Sequence, residues 1–397
     1  MKNILYLHAG AELYGADIIL YELIKGLDKK TFKVHVILPN DGPLVKKLES
    51  TGAKVSIVNY PILRRKYFNP KGIIKYLRGY RTTSKQIVDY CKKNNIDIVH
   101  INTSAVLEGC FIKKKLNVPV IWHIHEILTS PKIVVRFMFK KIAKYADKIV
   151  CVSKATRDNF IKITDAKEDK IEIIYNGVDN KIFNPKNKTN YLKEEFKIKD
   201  TDTVVGMIGR VNAWKGQKDF IAAMEKVFEK NPNRKNIKAM LVGGVFEGQE
   251  WRMDELKNII DQSKYKDNFI LSDFRKDTPN IHNFFDIFVL PSTSPDPLPT
   301  VVLEAMATGK PIVGYKHGGI KEMVSNSKNG ILVEPCKIDK LSEAINMLIS
   351  NKKLINIYGK SSLSKQKNEY SLNSFIARFE KIYTSIKVKP SRTRKKQ

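Results

Sequence analysis

Residues 291–324 read PSTSPDPLPTVVLEAMATGKPIVGYKHGGIKEMV, and the pattern predicts a proline-broken loop, an apolar helix, a strand and a Gly-Gly turn in succession. Asp296 lies in the loop, and Glu304, eight positions later, lies on the predicted helix. The HGG turn at 317–319 opens the next helix. Carboxylates accept hydrogen bonds from vicinal hydroxyls, and Gly-rich turns at helix N-termini receive phosphate oxygens. The stretch therefore suits a ligand in which a sugar is joined to a nucleoside diphosphate.

Short β-rich runs alternate with longer amphipathic segments throughout the chain. In the first half, strands are predicted at 3–8, 33–38, 54–58, 97–101, 118–124 and 148–153. In the second half, strands are predicted at 203–209, 238–244, 268–272, 286–292, 311–315 and 330–334. This βα repetition predicts parallel sheets that are covered by helices on both faces. We therefore expect an α/β protein with two doubly wound, Rossmann-like domains facing each other across a cleft.

The length of 397 residues fits two domains. The polar stretch 181–200, rich in Lys and Asn, predicts the linker. We expect an N-terminal domain at 1–180 and a C-terminal domain at 201–365. A helix at 366–386 is expected to cross back to the N-terminal domain, and a basic tail at 387–397 is expected to be disordered.

The chain is strongly basic, with a net charge of +30 from 71 Lys and Arg against 41 Asp and Glu. This excess suits an anionic partner, or it reflects a Lys- and Asn-rich composition spread over the surface. Two segments concentrate the charge, 64–85 and 132–148, and both interleave cations with aromatic and apolar side chains. Such segments suit peripheral docking on an anionic membrane, and a solvated helix face has the same pattern. No nucleic-acid-binding module is recognisable, so nucleic acid is not an expected partner.

Cysteine usage and hydropathy bear on the compartment. The four cysteines show neither a CxxC nor another metal-binding spacing, and a reduced cytoplasmic compartment fits them best. The apolar run within Met1–Gly10 is too short for a signal peptide. No stretch of about 18 apolar residues predicts a transmembrane helix. Any membrane contact is therefore expected to be peripheral, on the inner face of the plasma membrane.

Two cations follow the first strand of the second half. Arg210 and Lys215 lie in the loop before the next helix, at a strand's carboxyl end, where α/β sheets bind anions. They would neutralise a diphosphate, most strongly as the leaving group gains charge, or they are ordinary solvated loop cations. Glu304 either faces water or accepts the hydroxyls of a ribose. Asp296 is either a turn residue or a contact to the transferred sugar.

In the first half, the sequence WHIHE at 122–126 ends a predicted strand. Strand alternation places His123 and His125 on one face, and Glu126 follows them. A lone histidine is more often structural, but two on one face beside a carboxylate favour a functional site. A zinc pair would lack a third ligand at a recognisable spacing, so no metal site is expected.

These segments resemble the retaining glycosyltransferases with two Rossmann-like domains, the GT-B fold of family 4 type. The segments that carry the resemblance span nearly the whole chain. They are YGADIILYEL (14–23), WHIHE (122–126), CVSKAT (151–156), YNGVD (175–179), IGRVNAWKG (208–216), DIFVLPS (286–292) and DPLPTVVLEAMATGKPIV (296–313). The last segment is the most specific of these.

The resemblance implies transfer of a sugar from a nucleoside-diphosphate sugar with retained anomeric configuration, without a divalent metal or other cofactor. Arg210 and Lys215 would hold the donor diphosphate, and Glu304 would hold the ribose. Asp296 takes the place of the family's usual first Glu, close to the donor sugar, with an arm one methylene shorter. The remaining donor-side positions lie in the same loop and the following turn: Leu298, Pro299, Thr300, His317, Gly318 and Gly319.

On the acceptor side, His125 matches the family's active-site histidine better than His123 does. Gly15, His123 and Glu126 would complete this side, although Tyr14-Gly15 stands where the family usually has two adjacent glycines. The implied acceptor is a saccharide or a lipid-linked saccharide in bacterial surface polysaccharide synthesis (capsule, lipopolysaccharide or exopolysaccharide). A nucleotide-sugar epimerase and a non-catalytic sugar-nucleotide binding protein are the alternatives that keep this fold.

Overall fold

The computed structural model describes residues 1–388, so the predicted tail lies outside the described residues from residue 389 onward. The chain divides into two compact units. The first unit contains Met1–Asn176 and the chain from Asn373, and the second contains Gly177–Leu372. The polar stretch 181–200 falls within the second unit and includes a helix, α7 (Asn190–Phe196).

The first unit is built on a parallel sheet of seven strands in the order β3-β2-β1-β4-β5-β6-β7. The strands are β1 Lys2–Leu7, β2 Phe32–Leu38, β3 Lys54–Ile57, β4 Ile98–Ile101, β5 Val120–Ile124, β6 Lys148–Cys151 and β7 Ile171–Ile173. The connecting helices are α1 Gly15–Gly26, α2 Pro43–Glu49, α3 Pro70–Lys93, α4 Glu108–Leu116, α5 Lys132–Tyr145 and α6 Lys154–Ile163. The central strands consist mainly of Ile, Leu and Val that are buried on both faces, as helices covering a parallel sheet require.

The second unit repeats this plan with six parallel strands in the order β10-β9-β8-β11-β12-β13. The strands are β8 Thr203–Ile208, β9 Ile237–Val242, β10 Phe269–Ser272, β11 Ile287–Leu290, β12 Ile312–Tyr315 and β13 Gly330–Val333. The helices that follow α7 are α8 Gln217–Lys230, α9 Trp251–Asp261, α10 Thr278–Phe284, α11 Thr300–Ala307, α12 Ile320–Met323, α13 Ile338–Ile349 and α14 Lys352–Glu369.

The last helix, α15 (Leu372–Ser385), packs against the N-terminal sheet. The Tyr383 hydroxyl lies 2.8 Å from that of Tyr6 on β1 and 2.7 Å from Nδ1 of His100 on β4. The ammonium group of Lys2 donates to the Tyr383 carbonyl at 2.6 Å. Phe379 places its ring 5.0 Å from that of His123 on β5. The C-terminal helix therefore completes the core of the first unit.

The predicted fold class, two Rossmann-like α/β units with parallel sheets, is confirmed. In each unit the strand order reverses once, between β1 and β4 and between β8 and β11. Loops that leave the carboxyl ends of the strands at such a reversal form the usual ligand site of this architecture. Within residues 1–388, no helix is both long enough and apolar enough to cross a membrane.

Candidate functional site

The loops after β8 and β11 meet at the strand reversal of the second unit. The amide of Thr293 donates to the carbonyl of Trp214 at 2.7 Å, which joins the two loops. Gly216 has a φ of +85°, and a Cβ there would collide with the carbonyl of Pro291. Only glycine fits this left-handed position without displacing the neighbouring loop. The close approach fixes the position from which the side chain of Lys215 projects.

Lys215 forms an ion pair with Asp296 across these loops. The side chains are only 15% and 12% exposed, respectively. Each charge is therefore largely removed from water, and each is the other's main compensation. Lys215 and Asp296 lie 81 positions apart in the sequence, in two separate motifs, and the fold brings them into direct contact.

The Gly-Gly turn after β12 locks onto the same loop. The amide of Gly319 donates to the carbonyl of Asp296 at 2.8 Å. Gly318 has a φ of +63°, and a Cβ there would collide with the backbone of Asp296. The His317 ring donates through Nε2 to the carbonyl of Ser292. The turn therefore holds the Asp296 loop in place, which is a structural reason for glycine at 318 and 319.

The other donor-side candidates flank this centre. Leu298 is buried, Pro299 is the N-cap residue of α11, and Thr300 is its first residue. The guanidinium carbon of Arg210 lies 3.8 Å from the centroid of the Phe246 ring, in the loop after β9. This cation–π contact holds the guanidinium group against the Phe246 ring, beside the β8 loop.

Glu304 lies in the middle of α11 with its side chain 19% exposed. Its Oε2 atom is 3.0 Å from Nε2 of His282, a fully buried residue of α10. A carboxylate accepts, so the histidine proton resides on Nε2. The contact fixes one oxygen of Glu304, and the other oxygen keeps its capacity to accept from a ligand. His282 was not anticipated from the sequence, because a single histidine on a short helix carries no pattern.

A chain of hydrogen bonds joins four polar side chains at the strand reversal of the first unit. Oδ1 of Asp17 lies 2.6 Å from Nε2 of His8, and the amide nitrogen of Asn102 lies 3.1 Å from Nδ1 of the same ring. Nε2 of His125 lies 3.0 Å from the amide oxygen of Asn102. We call this set, Asp17, His8, Asn102 and His125, the histidine relay.

One assignment of the ring and amide protons gives every contact of the relay one donor and one acceptor. The Asp17 carboxylate accepts, so His8 carries its proton on Nε2 and accepts from Asn102 through Nδ1. Asn102 then accepts the proton on Nε2 of His125. Burial lowers the pKa of His125 to about 3, so its ring is neutral at physiological pH. His125 therefore presents Nδ1 as a hydrogen-bond acceptor.

The other acceptor-side candidates have different surroundings. Both oxygens of Glu126 accept from protein groups: the hydroxyl of Thr103, the amide and hydroxyl of Ser104, and the amide of His125. His123 is fully buried, with its ring 4.0 Å from that of His125. A Cβ on Gly15, the first residue of α1, would meet no atom of the described chain within 4 Å. Glu126 thus accepts from the backbone of His125, His123 packs against the His125 ring, and Gly15 borders open space.

Sequence reasoning missed three of the four members of the relay. His8 and Asn102 directly follow β1 and β4, the two strands that flank the reversal, and Asp17 lies in the first turn of α1. Strand order would have identified them, since residues after the two central strands face the ligand position. Among residues 1–388, no group of three or more His, Cys, Asp or Glu side chains is arranged to hold a metal ion.

Comparison with known proteins gives the family. Residues 14–181 match the family described as Glycosyltransferase Family 4, and residues 189–364 match that described as Glycosyl transferases group 1. The chain belongs to the glycosyltransferases that these two descriptions cover, group 1 of family 4 type, as its sequence motifs had indicated.

Two similar curated proteins match along almost their whole length. One is the UDP-Gal:α-D-GlcNAc-diphosphoundecaprenol α-1,3-galactosyltransferase of Escherichia coli, 26% identical over 386 residues and 95% of each chain. The other is the N,N′-diacetylbacillosaminyl-diphospho-undecaprenol α-1,3-N-acetylgalactosaminyltransferase of Campylobacter jejuni, 26% identical over 399 residues. The second alignment covers 96% of this chain and 97% of the relative.

Solved structures share the GT-B fold. HepE of Anabaena in complex with UDP superimposes with a TM-score of 0.84 at 23% identity, over 97% of this chain and all of HepE. A glycosyltransferase of Rickettsia africae superimposes with a TM-score of 0.83 at 22% identity, over 96% of this chain and 98% of that protein. At these identities the likeness establishes the fold.

Proposed function

We propose that the protein is a retaining, metal-independent glycosyltransferase that moves a sugar from a nucleoside-diphosphate sugar to a saccharide carried on a polyprenyl diphosphate. Surface polysaccharide synthesis is the process we infer for it. The observation that carries the proposal is the site after β8 and β11, where Lys215, Asp296 and the 317–319 turn interlock. Support for the acceptor class comes from the E. coli and C. jejuni relatives, whose names specify diphosphoundecaprenol acceptors.

On the donor side, Lys215 and Arg210 would hold the diphosphate and Glu304 the ribose. Preorganised cations stabilise the negative charge that grows on the departing diphosphate, and they need no reorganisation during the reaction. Protein cations can thus do the work of a divalent ion, which is why we propose metal independence. We infer a uridine nucleotide because HepE binds UDP and the E. coli relative is named for UDP-Gal.

For the transfer itself, we infer front-face attack. The bond between the anomeric carbon and the phosphate oxygen breaks, and the acceptor oxygen forms its new bond on the same face. The acceptor proton passes to the departing phosphate oxygen, so the step balances without a protein nucleophile. The ion pair with Lys215 supports this proposal, since Asp296 is already engaged as a counter-charge.

His125 would accept a hydrogen bond from a substrate hydroxyl through Nδ1. The relay supports this role because it sets the proton on Nε2 and leaves the Nδ1 lone pair available. A neutral ring accepts such a bond, whereas a protonated ring cannot. Glu126 would act as a positioning residue that holds the loop around His125.

We further propose peripheral contact with an anionic membrane through 64–85 and 132–148, which would keep the protein on the cytoplasmic face. Helix α3 packs against α4, and α4 packs against α5, so both segments belong to one helical layer. Apolar side chains of this layer lie exposed among its cations: Ile73, Ile74, Leu77, Ile133 and Phe137. Ile133 is 86% exposed, and such a side chain gains by entering a lipid interface.

Vesicle co-sedimentation tests this contact. Leu77→Ser with Ile133→Ser should weaken binding to phosphatidylglycerol vesicles, and added salt should weaken binding of the unmodified protein. Ile357→Ser is the matched control, because Ile357 is 60% exposed on α14, in the other unit. Equal binding to neutral and anionic vesicles, or equal loss in the control variant, would refute the contact.

The activity itself is tested by incubating the protein with UDP-sugars and a short-chain analogue of a polyprenyl-diphosphate N-acetylhexosamine. We expect a disaccharide product whose anomeric configuration, determined by NMR, matches that of the donor, with or without a chelator. An epimerase would convert the sugar nucleotide without an acceptor, and a binding protein would form no product. Either result would refute the proposal, and so would a product with inverted anomeric configuration.

A further inference from the structure

A polar pocket lies in the first unit, at the carboxyl ends of β1, β2 and β3. The pocket is open to solvent and has a volume of about 160 Å³, far more than the ~10–15 Å³ that one water requires. The lining includes two cations, two amides and two tyrosine rings: Arg64, Lys66, Asn40, Asn59, Tyr60 and Tyr67. Of the described residues, no acidic one lines it. Its composition matches that of a phosphate-bearing ligand.

The cations of the pocket are available to a ligand. Arg64 donates through Nη2 to the carbonyl of Ala9 at 3.0 Å, which fixes the guanidinium group at the pocket rim. Neither Arg64 nor Lys66 has an acidic partner within the part of the chain that the structure describes. A guanidinium group held in this way is suited to bidentate contact with phosphate.

The surroundings of the pocket favour a particular ligand. On one side, the amide of His8 donates to the Tyr60 hydroxyl at 3.0 Å, so the pocket borders the histidine relay. On the other side, the Tyr67 ring lies 5.4 Å from that of Tyr76 on α3, the helix that carries exposed Ile73, Ile74 and Leu77. The order across the unit is thus polar relay, cationic pocket and apolar helix surface.

We propose that this pocket binds the diphosphate of the lipid-linked acceptor, with the saccharide toward His125 and the polyprenyl chain along α3. The inference rests on the proposed function, since it assumes that such an acceptor is the substrate. Arg64 and Lys66 neutralise the two phosphates, and the amides of Asn40 and Asn59 add hydrogen bonds. The enzyme therefore distinguishes diphosphate-linked saccharides from neutral glycosides.

The test compares two soluble acceptors that carry the same N-acetylhexosamine and the same short alkyl chain, one through a diphosphate and one as a plain glycoside. In Arg64→Gln with Lys66→Gln, kcat/KM for the diphosphate acceptor should fall about 10- to 100-fold, the effect expected for lost charge-assisted hydrogen bonds. The kcat/KM for the glycoside should change less than about twofold, since the glycoside has no diphosphate to contact these two cations. Lys93→Gln, an exposed cation in the last turn of α3, should affect neither acceptor.

The assignment would be overturned by no loss in the double variant, by an equal loss for both acceptors, or by an equal loss in the Lys93 control. Binding of inorganic diphosphate, measured with saturating UDP, should also weaken in the double variant. A defect that appears only with phosphatidylglycerol vesicles would reassign the cations to lipid headgroups. If the unmodified protein transferred sugar to neither acceptor, the proposed function would fail instead.

Discussion

The ammonium group of Lys215 is paired with the carboxylate of Asp296, where the loops after β8 and β11 meet. Both side chains are largely buried, so removing one leaves the other charge without compensation. The lysine ammonium carries three N–H donors, so a diphosphate can bind it while Asp296 stays paired. We expect the pair to hold this cation in place before the donor binds.

Lys215→Ala is expected to lower turnover about 10²- to 10³-fold, the loss typical of removing one preorganised charge stabiliser. Adding Asp296→Asn to this variant should raise its turnover about tenfold, because the unpaired carboxylate that repels the diphosphate is then removed. Steady-state kinetics of the two single variants and the double variant measure the coupling. Lys218→Ala, an exposed cation paired with Glu255, is the control. Simple addition of the two single losses would contradict direct coupling.

Glu304→Gln should weaken UDP binding about 10- to 100-fold, since hydrogen bonds to a charged acceptor contribute more binding free energy than hydrogen bonds to a neutral one. Calorimetry with UDP and 2′-deoxy-UDP separates a ribose contact from a general effect. The unmodified protein should prefer UDP, and the variant should bind both ligands alike. Glu343→Gln, a partly exposed residue of α13, is the control. A variant that retains the preference for UDP would show that Glu304 does not contact the ribose hydroxyl.

Asp17→Asn is expected to reverse the histidine relay. The amide of Tyr14 donates to Oδ2 of Asp17 at 2.8 Å, so the substituted side chain would keep its oxygen there and turn its amino group toward His8. His8 and Asn102 would then reverse their roles, and the proton of His125 would move from Nε2 to Nδ1. We expect kcat to fall roughly 10²-fold, in the range for a misplaced proton.

Nitrogen-15 NMR of the His125 ring shows directly which ring nitrogen carries the proton. A merely structural defect would not move the proton from Nε2 to Nδ1. His125→Gln should cause a similar loss by itself and little further loss in the Asp17→Asn background, because both changes remove the same acceptor. If the His125 ring kept its proton on Nε2 in Asp17→Asn, the relay would not set the tautomer.

Glu108 gives a prediction for stability against pH. It is fully buried at the first position of α4, and burial raises its pKa from 4.5 to about 8. Since the folded state holds this proton more tightly, the stability it contributes is complete below pH 4.5 and is lost as the pH rises through about 8. We therefore expect Glu108→Gln to have a higher free energy of unfolding than the unmodified protein at high pH. This gain should be larger at pH 8.5 than at pH 5 by on the order of 3 kcal/mol. Urea denaturation at both pH values measures this difference, and a gain that is the same at both would refute it.

Much of the fold was predictable because periodicity determines buried strands. The predicted strand at 203–209 agrees with β8 (Thr203–Ile208) to within one residue, and β11 lies within the predicted 286–292. Strand β7 was missed because its three residues, Ile171–Ile173, are too few to show alternation. The candidate site was predictable where residues share a local motif, as Asp296 and Glu304 do. Its partners His282, His8 and Asn102 come from distant elements, and only the strand order brings them to the site.

The most direct test of the account is a crystal structure of the protein with UDP bound. We predict the diphosphate in contact with Lys215 and Arg210, beside the 317–319 turn, and the ribose hydroxyls on the free oxygen of Glu304. UDP bound elsewhere, or at this turn with Lys215 and Glu304 making no contact to it, would contradict the assignment of the donor site.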